Sequence, residues 1–268
     1  MTQPGRLAAL LLATLVWLGA NAQAAESTSE PSGEVVVLAA ASLTAAFAEV
    51  ALHIRDSHPE LTIIYNFAGS QALRTQLQQG AAADVFASAN PIQMQRALDD
   101  GLMAGDPQVF ARNRLAVIVP VDNPGRVTSF QDLAKDGLQL ALAGPHVPAG
   151  RYSREALQAA QSDYGEDFLE RVLRNLVSQE TSVKQVLVKV QLGEADAGIV
   201  YASDLTEKVL RDVGAIPIPQ PYNRLAVYPI AATRGARNPC GATAFIRYIL
   251  STRGQATLMA HGFIPVAE

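Results

Sequence analysis

The feature that most constrains this chain is a unit that recurs along it: a short apolar run, a small polar residue, then a segment with helical spacing. Glu34-Val-Val-Val-Leu-Ala-Ala40 is followed by Ser42 and a helical pattern from Leu43 to Arg55. Leu61 to Phe67 leads through Gly69-Ser70 to a helix over Gln71 to Gln79, stopped at Gly80. Asp84 to Ser88 leads to a helix over Pro91 to Asp100, with Gly101 after it. A strand that is apolar throughout is covered on both faces, and strands that alternate with helices form a parallel sheet. The pattern predicts an open α/β fold.

A strand over Arg114 to Pro120 runs into Asp122-Asn-Pro-Gly125, a strong turn signal, and a fresh set of units follows. This second set has strands over Leu138 to Ala143 and Ala197 to Tyr201, and helices over Arg151 to Gln161, Asp167 to Leu176 and Val183 to Leu192. Prolines 217, 219 and 221 precede Leu225 to Ala232, which carries the chain back, and helices near Ala242 to Leu250 and Gly254 to Ala260 close the sequence. The expectation is two doubly wound α/β lobes joined by a two-segment hinge. Residues 33–116 and 227–268 form lobe one, and residues 117–226 form lobe two.

Ahead of the first strand, Arg6 is followed by an apolar run from Leu7 to Leu18 and by Ala22-Gln23-Ala24. This reads as a secretory signal peptide over residues 1–24, too short to serve as a membrane span of about 20 residues. No cysteine stands at the cleavage point to carry a lipid. Cleavage removes one basic residue and no acid, taking the basic residues from 21 to 20 against 25 acidic, a net charge of −5. A mildly acidic surface argues against nucleic acid or an anionic membrane as partner. The one cysteine, Cys240, has no partner in the chain, so stability rests on packing, and a monomer in the periplasm is expected.

A doubly wound sheet receives ligands beyond the carboxyl ends of its strands, where helix N-termini present free N–H groups. Ser42 and Ser70 both sit at such places, and each can join its hydroxyl to those amides to hold an anion. Alternatively each serine simply caps its own helix. Several segments then show a resemblance. Leu38-Ala-Ala-Ala-Ser-Leu-Thr44, Asn66-Phe-Ala-Gly-Ser70, Ala83-Asp-Val-Phe-Ala-Ser-Ala89, His146-Val-Pro-Ala-Gly150, Gly193 to Asp204 and Gly262-Phe263 occur in an order and spacing that resemble the molybdate-binding periplasmic proteins of ABC importers, within the type II periplasmic binding proteins. The resemblance runs from about Val35 to Phe263.

The resemblance implies a cleft that captures molybdate, with tungstate beside it, holds no cofactor, and delivers its cargo to a membrane permease with its ATPase. It implies five ligand-binding residues. Ser42 and Ser70 donate from lobe one, Ala149 and Val183 donate backbone N–H, and Tyr201 donates a phenol. Gln71 and Thr181-Ser182 depart from the family pattern and leave the choice of anion open, with a tungstate-preferring, sulfate or phosphate site as alternatives. A shell of neutral donors suits a small dianion, because charge-assisted hydrogen bonds are strong and a carboxylate in the cleft would repel it. Asp84 therefore reads as a structural acceptor tying loops, and Arg74, Arg151 and Lys184 read as solvated helix surface. The four histidines lack metal-ligand spacing. A serine-nucleophile enzyme finds no support, since Ala68-Gly-Ser-Gln-Ala72 is not a G-x-S-x-G elbow. If residues 1–24 are a signal peptide, N-terminal sequencing of the periplasmic protein will begin at or near Ala25, whereas Met1 retained on membrane-bound protein contradicts that reading.

Overall fold

The structure is a computed structural model that describes Met1 and residues 30–266, so the segment read as a signal peptide lies outside the described residues apart from Met1. Lobe one is built on a five-stranded sheet. β1 (Gly33–Ala40), β2 (Leu61–Ala68) and β3 (Val85–Ala87) run parallel, with β1 between the other two. Beyond β3 lie β10 (Ala226–Ala232), antiparallel to both its neighbours, and β4 (Gln108–Asn113) at the edge. The apolar run of β1 explains its central place, because its alternate residues serve opposite faces. Val35, Val37 and Ala39 join a core with Phe47, Val50 and Ile54 of α1 (Thr44–Ser57). Leu38 joins a second core with Leu73 and Leu77 of α2 (Ser70–Gln78) and Met94 of α3 (Pro91–Asp99).

Lobe two repeats the plan. β6 (Leu140–Ala143) lies between β7 (Leu176–Glu180) and β8 (Ala197–Tyr201), parallel to both. β5 (Leu115–Pro120) follows β8 and runs antiparallel to it, and β9 (Val213–Pro217) forms the edge. α4 (Pro148–Ala159), α5 (Gln161–Tyr164), α6 (Phe168–Arg174) and α7 (Val183–Gln191) cover this sheet. In each lobe, then, the strand that arrives from the other lobe takes the fourth place and runs antiparallel. α8 (Pro239–Leu250) and α9 (Thr252–Ala260) return to lobe one, where Phe245 and Leu258 enter the α1 core. Cys240 stands exposed in the first turn of α8. Among the described residues no helix is long and apolar enough to cross a membrane.

Two details differ from the sequence reading. β5 pairs with β8 over Leu115 to Ile118 and with β9 over Ala116 to Pro120, so the outward crossing falls at Arg114, two residues ahead of the 116/117 border. The Asp122–Gly125 turn therefore lies inside lobe two, where Asn123 takes a positive φ of 43° and its side chain bonds Val127 N–H and C=O. The second difference concerns α4, which begins at Pro148 and not at Arg151, so Ala149 sits in its first turn; Pro148, which lacks an N–H, opens the helix at the position where none is needed.

The hinge is stapled by Asn223. Its amide accepts from Leu115 N–H at 3.0 Å and donates to Leu115 C=O at 2.8 Å, joining the return segment to the start of β5. Asp84 does a comparable task in lobe one. Its buried carboxylate accepts from the N–H groups of Val36 (2.7 Å), Arg237 (2.6 Å) and Asn238 (2.8 Å), which fixes β1 against the turn into α8. Replacing Asp84 by Ala leaves three N–H groups without this acceptor. The expected loss is about 3 to 5 kcal/mol of folding stability, read from urea denaturation.

Candidate functional site

The carboxyl ends of β1, β2 and β3 face those of β6, β7 and β8 across a small chamber. Ala41, Ser42, Gly69, Ser70 and Ala89 line it from lobe one, and Val147, Ala149, Val183 and Tyr201 line it from lobe two. All five residues singled out in the sequence are thus brought together. The free volume is about 10 Å³, room for one water-sized body, against the roughly 300–1,000 Å³ of sites that hold drug-sized ligands. A larger groove of about 450 Å³ lies between α8 and β10, but no helix N-terminus opens into it.

Four helical segments begin at the chamber: the 3-10 turn Ala41–Leu43, α2, α4 and α7. Their first N–H groups have no acceptor within the helix, and their positive dipole ends converge. None of the four has a side-chain cap among the described residues, whereas α3, α8 and α9 are capped by Asn90, Asn238 and Ser251. The helices that meet at the chamber leave their amides for something else.

The serine hydroxyls are oriented by what they already accept. Ala89 N–H donates to Ser70 Oγ at 3.0 Å, so the Ser70 proton is free to be donated. Ser42 Oγ lies 2.9 Å from Tyr228 Oη. Asn113 Oδ1 accepts from Arg114 N–H at 2.9 Å, which turns its Nδ2 toward Ser203 Oγ (2.7 Å) and Tyr228 Oη (3.4 Å). A tyrosine that accepts from Asn113 donates its own proton to Ser42, and the Ser42 proton then also points outward from the relay. Neither serine caps its own helix, which sets aside the capping alternative. Sequence reasoning missed Tyr228 and Asn113, because the first is 186 residues from Ser42 and only the fold unites them.

Tyr201 ends β8 and is 1% exposed. Its ring meets that of Tyr228 edge-on at 5.8 Å, yet its hydroxyl makes no well-aligned hydrogen bond among the described residues. Burial pushes its pKa well up, and Tyr228, Tyr152 and Asp204 push in the same direction. The phenol of Tyr228 is raised as well, mainly by burial. Both groups therefore keep their protons at any physiological pH and act as donors. A buried hydroxyl without a partner is costly, and such groups are rare in native folds. Among the described residues the chamber presents hydroxyl and amide donors, with no side-chain cation, carboxylate or nucleophile–base pair in its lining. It can hold a small anion by hydrogen bonds.

The other candidates lie elsewhere. Arg74 pairs with Asp100 at 2.8 Å and Arg151 with Glu155 at 2.7 Å, both on helix surfaces. His146 is exposed, and its carbonyl accepts from Gln93 Nε2 at 3.4 Å across the cleft rim. Lys184 differs from the expected solvated surface, for it reaches the fully buried Asp204 at 2.8 Å.

Two lobes of one plan, hinged by two crossings and closed over a chamber of donors, define a protein that captures a small ligand. The chain belongs to the bacterial extracellular solute-binding proteins, whose family description matches residues 35–264. Like its relatives it is a binding protein and not an enzyme. It is 36% identical over 261 residues to the molybdate-binding protein ModA of Mycobacterium tuberculosis, covering 97% of this chain and 96% of that one. Among solved structures it resembles the substrate-binding domain of a putative molybdenum ABC transporter from Clostridium difficile, with a TM-score of 0.64 and 28% identity over 87% of this chain and 99% of that one. It also resembles the sulfate-binding protein SubI of Mycobacterium tuberculosis, with a TM-score of 0.79 and 19% identity over 87% of each chain, a likeness of fold alone.

Closure brings the lobes into contact at Gly69, where an added Cβ would stand 2.5 Å from Thr181 C=O of lobe two. Gly69→Ala is expected to hold the lobes apart. Small-angle scattering of the variant with ligand should give a larger radius of gyration than that of the liganded native protein, and equal radii would show that the contact yields.

Proposed function

We propose that this protein is the substrate-binding component of an ABC importer for molybdate, and that tungstate binds in the same chamber. In this reading Ser42, Ser70 and Tyr201 donate O–H, and Ala149 and Val183 donate backbone N–H, to the oxygens of one tetrahedral dianion. The observation that carries it is the buried Tyr201 hydroxyl, without a well-aligned hydrogen bond among the described residues, in a chamber shared with two serines that each already accept one hydrogen bond and keep a proton to donate. A group of donors with protons to give and no acceptor in reach is complementary to a fully deprotonated oxyanion. A partly protonated phosphate needs an acceptor, and the five groups offer none as a side-chain carboxylate. Kinship with a protein named for molybdate favours that cargo over sulfate, since the likeness to a sulfate-binding protein extends only to the fold.

The family is one of extracellular proteins, and the proposal places this member in the periplasm as a monomer, freed by cleavage after Ala24 and presenting its cargo to a permease with its ATPase. Binding needs no cofactor, because every proposed interaction is a hydrogen bond from the chain.

The test is calorimetric titration with molybdate, tungstate and sulfate. The chamber holds only about 10 Å³ as it stands, so it must widen to admit a tetrahedral dianion; molybdate is larger than sulfate, and a shell that settles at its radius leaves sulfate with long bonds. Molybdate and tungstate should bind and raise the melting temperature, with about 4 kcal/mol of stabilisation at a thousandfold excess over Kd, while sulfate should not. Ser42→Ala, Ser70→Ala and Tyr201→Phe should each weaken molybdate binding about 10- to 150-fold, the worth of one hydrogen bond to a charged acceptor. An unchanged Kd in all three places the ligand outside this chamber.

A further inference from the structure

We propose that Lys184 is an affinity-determining residue, holding in balance a buried carboxylate that would otherwise repel the anion. The inference rests on the reading of the chamber as an oxyanion site. Asp204 lies on the 3-10 turn Ala202–Asp204, three residues past Tyr201, and is 0% exposed. Its Oδ2 accepts from Tyr201 N–H at 3.1 Å, which ties it to the residue whose hydroxyl faces the chamber. Its Oδ1 stands 2.8 Å from Lys184 Nζ. Lys184 follows Val183, the first residue of α7 and a wall of the same chamber. The pair therefore spans the back of two proposed donors from lobe two.

The charges around Asp204 make the balance specific. Burial pushes its pKa up, and Lys184 is the strongest influence in the opposite direction. The phenols of Tyr201 and Tyr228, whose pKa values are raised with Asp204 among the causes, are neutral. Lys184 is thus the cation that offsets the carboxylate. A negative charge at this depth acts on a buried dianion through a medium of low dielectric, with little screening by salt. With both partners present the two charges cancel, and the anion meets only donors.

A tie that is merely structural and a balance of charge predict different patterns. If the pair serves only to hold α7 against the Tyr201 turn, cutting it from either end loosens the same donors and weakens binding alike. If it balances charge, removing the cation weakens binding and removing the anion does not, because the amide oxygen introduced by Asp204→Asn would still accept from Tyr201 N–H while Lys184 remains positive. The substitutions are Lys184→Met, Lys184→Gln, Asp204→Asn and Lys184→Met with Asp204→Asn, in the mature chain, titrated with sodium molybdate at one pH and ionic strength and checked by apo melting curves.

Either Lys184 variant alone should raise Kd at least about tenfold. Asp204→Asn should leave Kd unchanged or lower it, and the double variant should return to within about threefold of the native value. Equal weakening by Lys184→Met and Asp204→Asn, or no change with Lys184→Met, overturns the inference while native binding of molybdate upholds the proposed function. Should both Lys184 variants fail to fold, Asp204→Asn still decides, since a tenfold loss from it contradicts charge balance. Failure of the native protein to bind molybdate overturns both.

Discussion

The organisation of the chamber follows from one constraint, the cost of taking an unpaired charge out of water. A fold that buries an anion without a matching side-chain cation must surround it with dipoles already pointing inward. The four helical starts at the chamber supply these, and their lack of side-chain caps leaves the amides for a ligand. The hydroxyls obey the same logic at one remove. A serine can accept as well as donate, and an acceptor facing an anion would be repulsive. Ala89 N–H on Ser70 and the Asn113–Tyr228 relay on Ser42 occupy the accepting side and leave the donating side for the chamber. Tyr228 and Asn113, which do not line the chamber, thereby set the polarity of a group that does.

The shared plan of the two lobes explains why the donors come in matched places. β1 corresponds to β6, β2 to β7 and β3 to β8 in the two sheet orders. Ser42 follows β1 as Ala149 follows β6, and Ser70 follows β2 as Val183 follows β7. In the proposed site the lobes differ in how they would donate: lobe one offers hydroxyl side chains, and lobe two offers backbone amides with one phenol. Asn223 ties the two crossing segments to each other where the chain passes between the half-sites.

Much of this was legible in the sequence, and the exceptions have a common cause. The central strands were visible because burial on both faces demands an unbroken apolar run, as in Val35 to Ala40 and Leu140 to Ala143. The strands that escaped notice, β4, β7 and β9, are all at sheet edges. Leu176-Val-Ser-Gln-Glu180 and Gln108 to Asn113 are half exposed and mix polar with apolar residues, which leaves no continuous apolar signal. Ser42 and Ser70 could be named as candidates from their place between strand and helix. Tyr201, Ala149 and Val183 came only through the resemblance, the last two because a backbone N–H leaves no mark on residue type. Lys184 and Asp204 are 20 positions apart, and no local pattern marks a lysine whose partner is buried.

Gln71 and Thr181-Ser182 depart from the family pattern, and the structure shows that two of these departures meet. Gln71 Nε2 donates to Thr181 C=O at 2.9 Å, from the first turn of α2 to the segment ahead of α7. Neither residue lines the chamber. The acceptor is a carbonyl that any residue at 181 would supply, so the contact depends on Gln71 alone. A bond of this kind favours the closed arrangement whichever anion lies inside, and an influence equal for all ligands shifts every affinity by the same factor. It cannot distinguish molybdate from sulfate. The two are dianions of equal charge, so discrimination has to arise where they differ in size, in the shell of donors. The departures thus bear on how firmly the lobes close, and the choice of cargo is left to the chamber wall.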